Sequence, residues 1–207
     1  MSRASHGGFT LLELLAVISI ILVVMAFVTP AVNSMMGGSQ LNAASQKVIS
    51  ALDFAHGSAV ARNRSMEVRF YSYTDPNAPA SNGAQYRALQ IFEISETGTP
   101  TAVGSTVTLP TSTVMDSGTI PVLSTLLLNS GPVKSGASLG PIAQAGTNFQ
   151  EISFRFLPGG GTNLAPTKQW YITVRNLNVP PVNNQAPVNY VAIQNDPISG
   201  ATTVYRP

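Results

Sequence analysis

The pattern of hydrophobic and polar positions divides the chain into three parts, of which the first is apolar. Residues 14–28 carry no charge and one polar side chain, Ser19. With residues 9–12 the run reaches about twenty residues, which is the length of a membrane-spanning helix. A helix rises about 1.5 Å per residue, so the run matches the roughly 30 Å hydrocarbon core of a bilayer. The pattern predicts a transmembrane helix at residues 9–30.

The second part has the spacing of an amphipathic helix, predicted over residues 31–63. Pro30 and the pair Gly37-Gly38 near its start predict a kink or local melting. Farther on, apolar side chains recur every three or four residues, and this recurrence predicts a stripe that packs on the chain's own domain. The stripe consists of Leu41, Ala44, Val48, Leu52, Ala55 and Ala59.

In the third part the period changes to two. Residues 66–73 alternate apolar and polar side chains and predict a half-buried strand. Further candidate strands are residues 85–95, 106–109, 151–157, 169–175, 189–194 and 202–205. The stretch 117–148 is rich in Gly, Ser and Pro and is predicted to be largely irregular. The predicted fold class is therefore α+β, with a long N-terminal helix followed by an antiparallel β-sheet head over residues 64–207.

Composition narrows the classes of function. Hydrophobic residues make up 44% of the 207 residues, enough for a core, and charged residues make up 10%. The net charge of +2 falls to +1 when a leader containing Arg3 is removed, so bulk charge predicts no nucleic-acid partner. The absence of cysteine excludes disulfides and thiolate ligands. An exported domain without disulfides must obtain its stability from its apolar core.

Candidate catalytic and metal residues are few. Residues 136–140 match the G-x-S-x-G pattern, but in that fold a histidine base follows the serine, and both histidines precede Ser138. Asp75, Asp116 and Asp196 lie far apart in sequence, which argues against a calcium site. A calcium role for Asp196 remains the alternative to a turn. The sequence predicts no enzyme, no cofactor and no metal.

Glu13 is the residue that a plain apolar anchor or a removed secretory signal leaves unexplained, because a carboxylate at membrane depth costs about 2.5 to 3.5 kcal/mol. The run Gly7-Gly8-Phe9-Thr10-Leu11-Leu12-Glu13 resembles the prepilin processing site. The resemblance implies that prepilin peptidase removes the leader, residues 1–8, by cutting after Gly8 and then methylates the amine of Phe9. Glu13 would pair with the Phe9 amine of a neighbouring subunit and set the assembly register.

Residues 49–63 followed by Val68-Arg69-Phe70 look like the helix end and first strand of the minor pseudopilin GspH/FimT family, although His56 stands where that family usually has arginine. Residues 151–160, 170–174 and 189–200 are similar to the closing hairpins of the same group and to the prepilin-like Verru_Chthon cassette protein D. The resemblance implies a subunit of a type II secretion pseudopilus or type IV pilus-like filament. Its partners would be other pilin subunits and an inner-membrane assembly platform.

The resemblance also implies a location and an alternative function. The protein would cross the bacterial inner membrane once, with its N-terminus cytoplasmic and its head periplasmic, and Arg3 fits the positive-inside rule. The alternative is a DNA-binding minor pilin of an uptake system. Arg62, Arg64 and Arg69 would supply its phosphate contacts, with Arg87 nearby on a paired strand.

Overall fold

The computed structural model describes residues 10–76, 83–119, 121–136, 142 and 145–206, without the side chains of residues 27–35. Gly8 and Phe9, the predicted processing residues, lie outside this set, as does Ser138. Backbone contacts divide the chain into two compact units, Met1–Gly38 and Ser39–Pro207. The second unit contains the β-sheet and is called the head below.

Helix α1 spans Leu11–Arg62 and continues through Pro30 and Gly37-Gly38. The predicted local melting was therefore wrong, while the kink stays a prediction. Within the described residues, no helical stretch combines the length and the hydropathy of a membrane span. The transmembrane assignment of residues 9–30 thus stays a prediction.

The C-terminal end of α1 is closed by an asparagine in the left-handed conformation. Asn63 has φ 52°, and its N–H donates to Val60 O at 3.3 Å. The N–H of Arg64 donates to Ala59 O at 3.2 Å. These two bonds form a Schellman motif, which satisfies the last carbonyl groups and turns the chain into the first strand.

The predicted apolar stripe is the face by which α1 packs on the sheet. All six of its residues are buried in the main core of the head, so this prediction was confirmed. They pack with Met66, Val68 and Phe70 on β1. Burial of apolar surface is the main favourable term in folding, so this contact holds the C-terminal part of α1 on the head.

The head sheet is antiparallel throughout. In the described residues its order is β5-β6-β1-β2-β4-β7-β8-β9, and β3 pairs with β2 beside that path. A five-residue helix, α2, spans Thr125–Asn129. The strands are β1 (Ser65–Tyr73), β2 (Gln85–Ile94), β3 (Pro100–Thr108), β4 (Thr113–Asp116), β5 (Lys134–Ser135), β6 (Gln150–Phe156), β7 (Trp170–Asn176), β8 (Tyr190–Asn195) and β9 (Thr202–Tyr205).

Each of the strand candidates corresponds to an observed strand, and β9 matches residues 202–205 at both ends. Strand β3 begins at Pro100 rather than at residue 106. Strands β4 and β5 and helix α2 were missed. Their short length explains this, because the four residues of β4, the two of β5 and the five of α2 are too few to show a period.

Strand β1 is buried on both faces, so the prediction of a half-buried strand was wrong. Its second face carries Glu67, Arg69 and Tyr71. The Tyr71 ring meets the Phe149 ring edge-on, with 5.1 Å between centroids. Tyr73, Ala88 and Phe149 join Tyr71 in a second, smaller core. Phe149, in the segment just before β6, thus covers the second face of β1. The alternation of apolar and polar residues alone would have left that face exposed to solvent.

Candidate processing and assembly site

The N-terminal turn of α1 is closed by a reciprocal pair of hydrogen bonds between Thr10 and Glu13. The Thr10 hydroxyl accepts from the Glu13 N–H at 3.2 Å. The Glu13 carboxylate accepts from the Thr10 N–H at 3.0 Å and from its hydroxyl at 3.1 Å. This is a capping box, in which two orphan donors of the first turn are satisfied by side chains.

The capping box gives Glu13 a local role that the sequence argument missed. A threonine followed three residues later by glutamate, before an apolar run, is the signature of this cap, and Thr10 and Glu13 have that spacing. The position of Glu13 is therefore explained by more than pairing with a neighbour's amine. Pairing with a neighbour's amine requires the negative charge of Glu13. The capping box does not, because a glutamine side chain can accept the same hydrogen bonds from Thr10.

On both sides of Glu13, the first turns of α1 present large apolar side chains that no described residue covers. From Leu11 to Met25 they are between 48% and 86% exposed. Ser19 turns its hydroxyl inward to Leu15 O at 2.8 Å, so its polar group is satisfied by the helix itself. From Leu11 to Met25, α1 therefore offers an almost uniformly apolar helical surface, which is the property that lipid or the apolar helices of other subunits require.

A family model describing the prokaryotic N-terminal methylation motif matches residues 3–29. This match indicates a type IV pilin-like precursor. The motif implies processing by prepilin peptidase and assembly with other pilins. No curated protein and no solved structure matches the chain. The narrower GspH/FimT and Verru_Chthon resemblances therefore stay predictions.

In this pilin-like chain, two of the three arginines considered for DNA contact tie the end of α1 to the end of β2. Arg62 pairs with Glu93 at 2.9 Å, and Arg64 pairs with Glu96 at 3.0 Å. These pairs are partly exposed, so each contributes little to stability. They do, however, place a carboxylate beside each cation at the site where a phosphate would have to bind.

The third arginine, Arg69, is buried inside a network of charges on the second face of β1. Its Nε donates to Glu67 at 2.6 Å, and its guanidinium lies 4.0 Å from the centroid of the Phe92 ring. On neighbouring β6, the Nε of Arg155 donates to the other Glu67 oxygen at 2.7 Å. Arg69 is thus buried and paired with Glu67. Since Arg62 and Arg64 are also paired with carboxylates, the three arginines do not form an unpaired basic surface. The geometry gives the DNA-binding alternative no support.

Glu151 is the least satisfied member of this network. Its side chain is 1% exposed, and its oxygens lie 3.6 Å from the nearest nitrogens of Arg69 and Lys134, beyond hydrogen-bonding distance. Burial raises the pKa of Glu151, and the charges of Arg69 and Lys134 oppose that rise only in part. Burial is the largest single influence on Glu67 and raises its pKa, but the hydrogen bonds and positive charges of Arg155 and Arg69 together outweigh it, so the pKa of Glu67 is lowered.

The two carboxylates are expected to affect stability in opposite ways. The folded head favours the protonated form of Glu151, because burial raises its pKa above the ordinary value of 4.5. Above that raised pKa, the ionised carboxylate lowers the free energy of unfolding of the head. This destabilisation disappears as the pH falls through the raised pKa toward 4.5, where Glu151 is protonated in the folded and unfolded states alike. Glu151→Gln should therefore raise the free energy of unfolding at pH 7 and lose this advantage in acid. Urea unfolding across a pH series measures the difference.

Glu67→Gln is the matched control for Glu151→Gln. At neutral pH it should destabilise the head by on the order of 3 kcal/mol, because it leaves Arg69 and Arg155 without their shared carboxylate. The stability that Glu67 contributes above pH 4.5 is lost as the pH falls through its lowered pKa. Equal destabilisation by both variants would show that Glu151 is as well paired as Glu67.

The remaining candidates have structural roles. Arg87 pairs with Asp75 at 3.1 Å, and Arg175 pairs with buried Asp116. The Asp196 carboxylate accepts from the N–H groups of Ile198 and Ser199, each at 2.8 Å. These bonds, that from Ser199 most strongly, lower the pKa of Asp196. The described residues contain no group of three His, Cys, Asp or Glu side chains that could hold a metal ion.

His56 lies where the last turns of α1 meet the closing turns of the head. Its ring packs on Phe156 with 5.5 Å between centroids. Gly200 has φ 70°, and a Cβ there would overlap both Gly160 O and the His56 ring. The two glycines allow the turns to close over the histidine. The compact His56 imidazole therefore packs between the last turns of α1 and the turns that contain Gly160 and Gly200.

Proposed function

We propose that this chain is a minor pseudopilin or pilin-like subunit of a type II secretion pseudopilus or a type IV pilus-like filament. Prepilin peptidase cleaves it after Gly8 and methylates Phe9. Its activity is structural: the subunit polymerises, or primes and tips a filament. The observation that carries this proposal is the match to the methylation motif over residues 3–29, which includes the exposed apolar side chains from Leu11 to Met25 of α1.

The head supports the same function. Its β-sheet packs on the apolar stripe of α1, so a single helix links the processed terminus to the folded head. A subunit with this chain order can be anchored by one segment and present the other to the exported side. The GspH/FimT assignment is supported by the order of elements, with the helix ending at Arg62 and the next strand beginning at Ser65.

The proposed location is the bacterial inner membrane, crossed once by residues 9–30. Arg3 and the initial amine would keep the leader cytoplasmic, and the head would be periplasmic. The exposed apolar side chains of residues 11–25 support this placement, because water is a poor solvent for such a surface. Residues 31–63 would then carry the chain from the membrane into the head, residues 64–207.

N-terminal mass spectrometry of the protein purified from membranes tests the proposal. The expected product begins at N-methylated Phe9 and lacks residues 1–8. Cells lacking the prepilin peptidase should instead retain an intact Met1 terminus. A wild-type product that keeps Met1, or one cut beyond Ala26 as a secretory signal is, would contradict the assignment.

A further inference from the structure

Within the described residues of the head, β3, β5 and β9 have a strand partner on one side only. The open side of an edge strand carries unpaired N–H and C=O groups, so it can bind a further strand unless a local feature prevents it. Strand β3 begins with Pro100 and has an irregular register between Val103 and Val107, where Gly104 has φ 77°. Strand β5 has two residues, one of them Lys134. Proline, bulges, short length and lysine all protect an edge from pairing.

Of these protective features, strand β9 has only the short length, with four residues. Its residues, 202–205, include no charged residue and no proline, and they pair with β8 in an unbroken register. On the open side of β9, no backbone group of the described residues pairs with it. Val204 and Tyr205 are 45% and 54% exposed. The edge of β9 is therefore the part of the head sheet that is best able to receive another strand.

A groove of about 470 Å³ lies between α1 and this edge. Its apolar lining comes from Ile49 on α1, Val191 on β8 and Val204 on β9. Arg206 also lines the groove and donates to Asn42 Oδ1 on α1. Side chains two positions apart along a strand point to the same face of the sheet. A strand added beside β9 would therefore direct every second side chain toward Val204, Arg206 and the groove.

The charge of Arg206 indicates which side chain the groove would select. Its bond to Asn42 does not neutralise the charge, because the partner is a neutral amide. The ion pairs found among the described residues all involve other cations. A guanidinium forms its strongest hydrogen bonds with carboxylates, so charge complementarity favours an acidic side chain opposite Arg206. An apolar side chain fits opposite Val204, two positions away.

We propose that the β9 edge and the groove beside it bind an extended segment of a partner protein, in which an acidic residue and an apolar residue are separated by one residue. The added strand runs antiparallel to β9, as neighbouring strands of the head do, so the acidic residue precedes the apolar one. Backbone hydrogen bonds supply the strand contact, and the groove and Arg206 supply the selectivity. Because β9 is short, binding depends on both side chains. The inference concerns the head alone and does not depend on the anchorage of residues 9–30.

Fluorescence anisotropy with the full-length protein in detergent tests the proposal. The probe is the peptide Thr-Glu-Thr-Val-Thr-Val, with a neutral dye at its N-terminus and an amide at its C-terminus. Its glutamate would lie opposite Arg206 and the next valine opposite Val204. The matched control peptide has lysine in place of glutamate. The glutamate peptide should bind saturably and at least about tenfold more tightly than the lysine peptide, because the lysine would face a like charge. No saturable binding of the glutamate peptide up to about 1 mM, or equal binding of both peptides, would overturn the proposal.

A charge exchange identifies the cation. Arg206→Glu should reverse the preference, so that the lysine peptide binds at least about tenfold more tightly than the glutamate peptide. Lys168→Glu is the matched control, because it makes the same change in net charge at an exposed site between β6 and β7, outside the groove. This control should keep the wild-type preference. An equal effect of the two variants would assign the selectivity to bulk charge and contradict the role of Arg206.

Backbone N-methylation distinguishes strand addition from a contact made by side chains alone. In an added strand, the N–H groups of alternate residues point toward β9 and the others point away. The glutamate peptide methylated on one alternate set should lose binding, and the peptide methylated on the other set should retain it. Equal behaviour of the two peptides would exclude strand addition. Concentration-dependent association of the protein that the glutamate peptide disrupts would assign the edge to a second copy of the chain, and this result would also overturn the proposal.

Discussion

Replacing Glu13 by alanine is expected to leave cleavage and membrane insertion intact and to abolish incorporation into filaments. The reason is that a neighbour's Phe9 amine would lose the carboxylate that neutralises it in an apolar environment. The isolated helix should insert more easily, by about 2.5 to 3.5 kcal/mol. Membrane abundance and filament incorporation would then change in opposite directions. Immunoblotting of membranes and quantification of subunits in sheared or crosslinked filaments measure the two effects.

Glu13→Gln separates the charge from the capping box. Glutamine closes the same cap with Thr10, so this variant removes the charge and keeps the helix start. If charge pairing sets the register, Glu13→Gln should fail like Glu13→Ala. Thr10→Val is the opposite control, because it removes the hydroxyl of the cap and retains the carboxylate, at a cost of about 1 kcal/mol of local helix stability. Normal incorporation of Glu13→Gln would assign Glu13 to the cap alone.

Gly8→Ala is expected to block maturation, which is the second large effect. Glycine at the junction leaves the backbone unhindered and able to reach conformations that a Cβ restricts, and the peptidase must bind this bond. The uncleaved protein should accumulate in the membrane with its leader and should not enter filaments. Intact-mass measurement distinguishes the precursor from the processed, methylated form.

Gly7→Ala is the matched control, because it makes the same chemical change one residue before the junction. Processing of Gly7→Ala at the wild-type rate would show that the requirement belongs to the cleaved bond rather than to general flexibility of the leader. If Gly8→Ala were also processed at that rate, glycine would not be what the peptidase recognises. The register of the cut, and with it the assignment of Phe9 as the methylated residue, would then have to be revised.

Interactions that are close in sequence were largely predictable for this protein. The junction motif and the strand candidates all rest on residues within a few positions of one another. The apolar stripe of α1 was readable because one helix face repeats every three or four residues, and all six of its members are buried. The Thr10–Glu13 cap also has a local sequence signature, so it could have been predicted from the sequence although it was not.

Tertiary structure alone decided which charges and faces meet. Arg155 bonds to Glu67 across 88 positions of sequence, and Arg62 bonds to Glu93 across 31. The second face of β1 is buried because Phe149 folds over Tyr71. Leu177, directly after β7, lies near Gln40 on α1 because Ser112 contacts both residues. Local periodicity reports which side of an element is apolar, whereas the partner of each side depends on how distant strands close into one sheet, and that choice is made by the packing of the whole head.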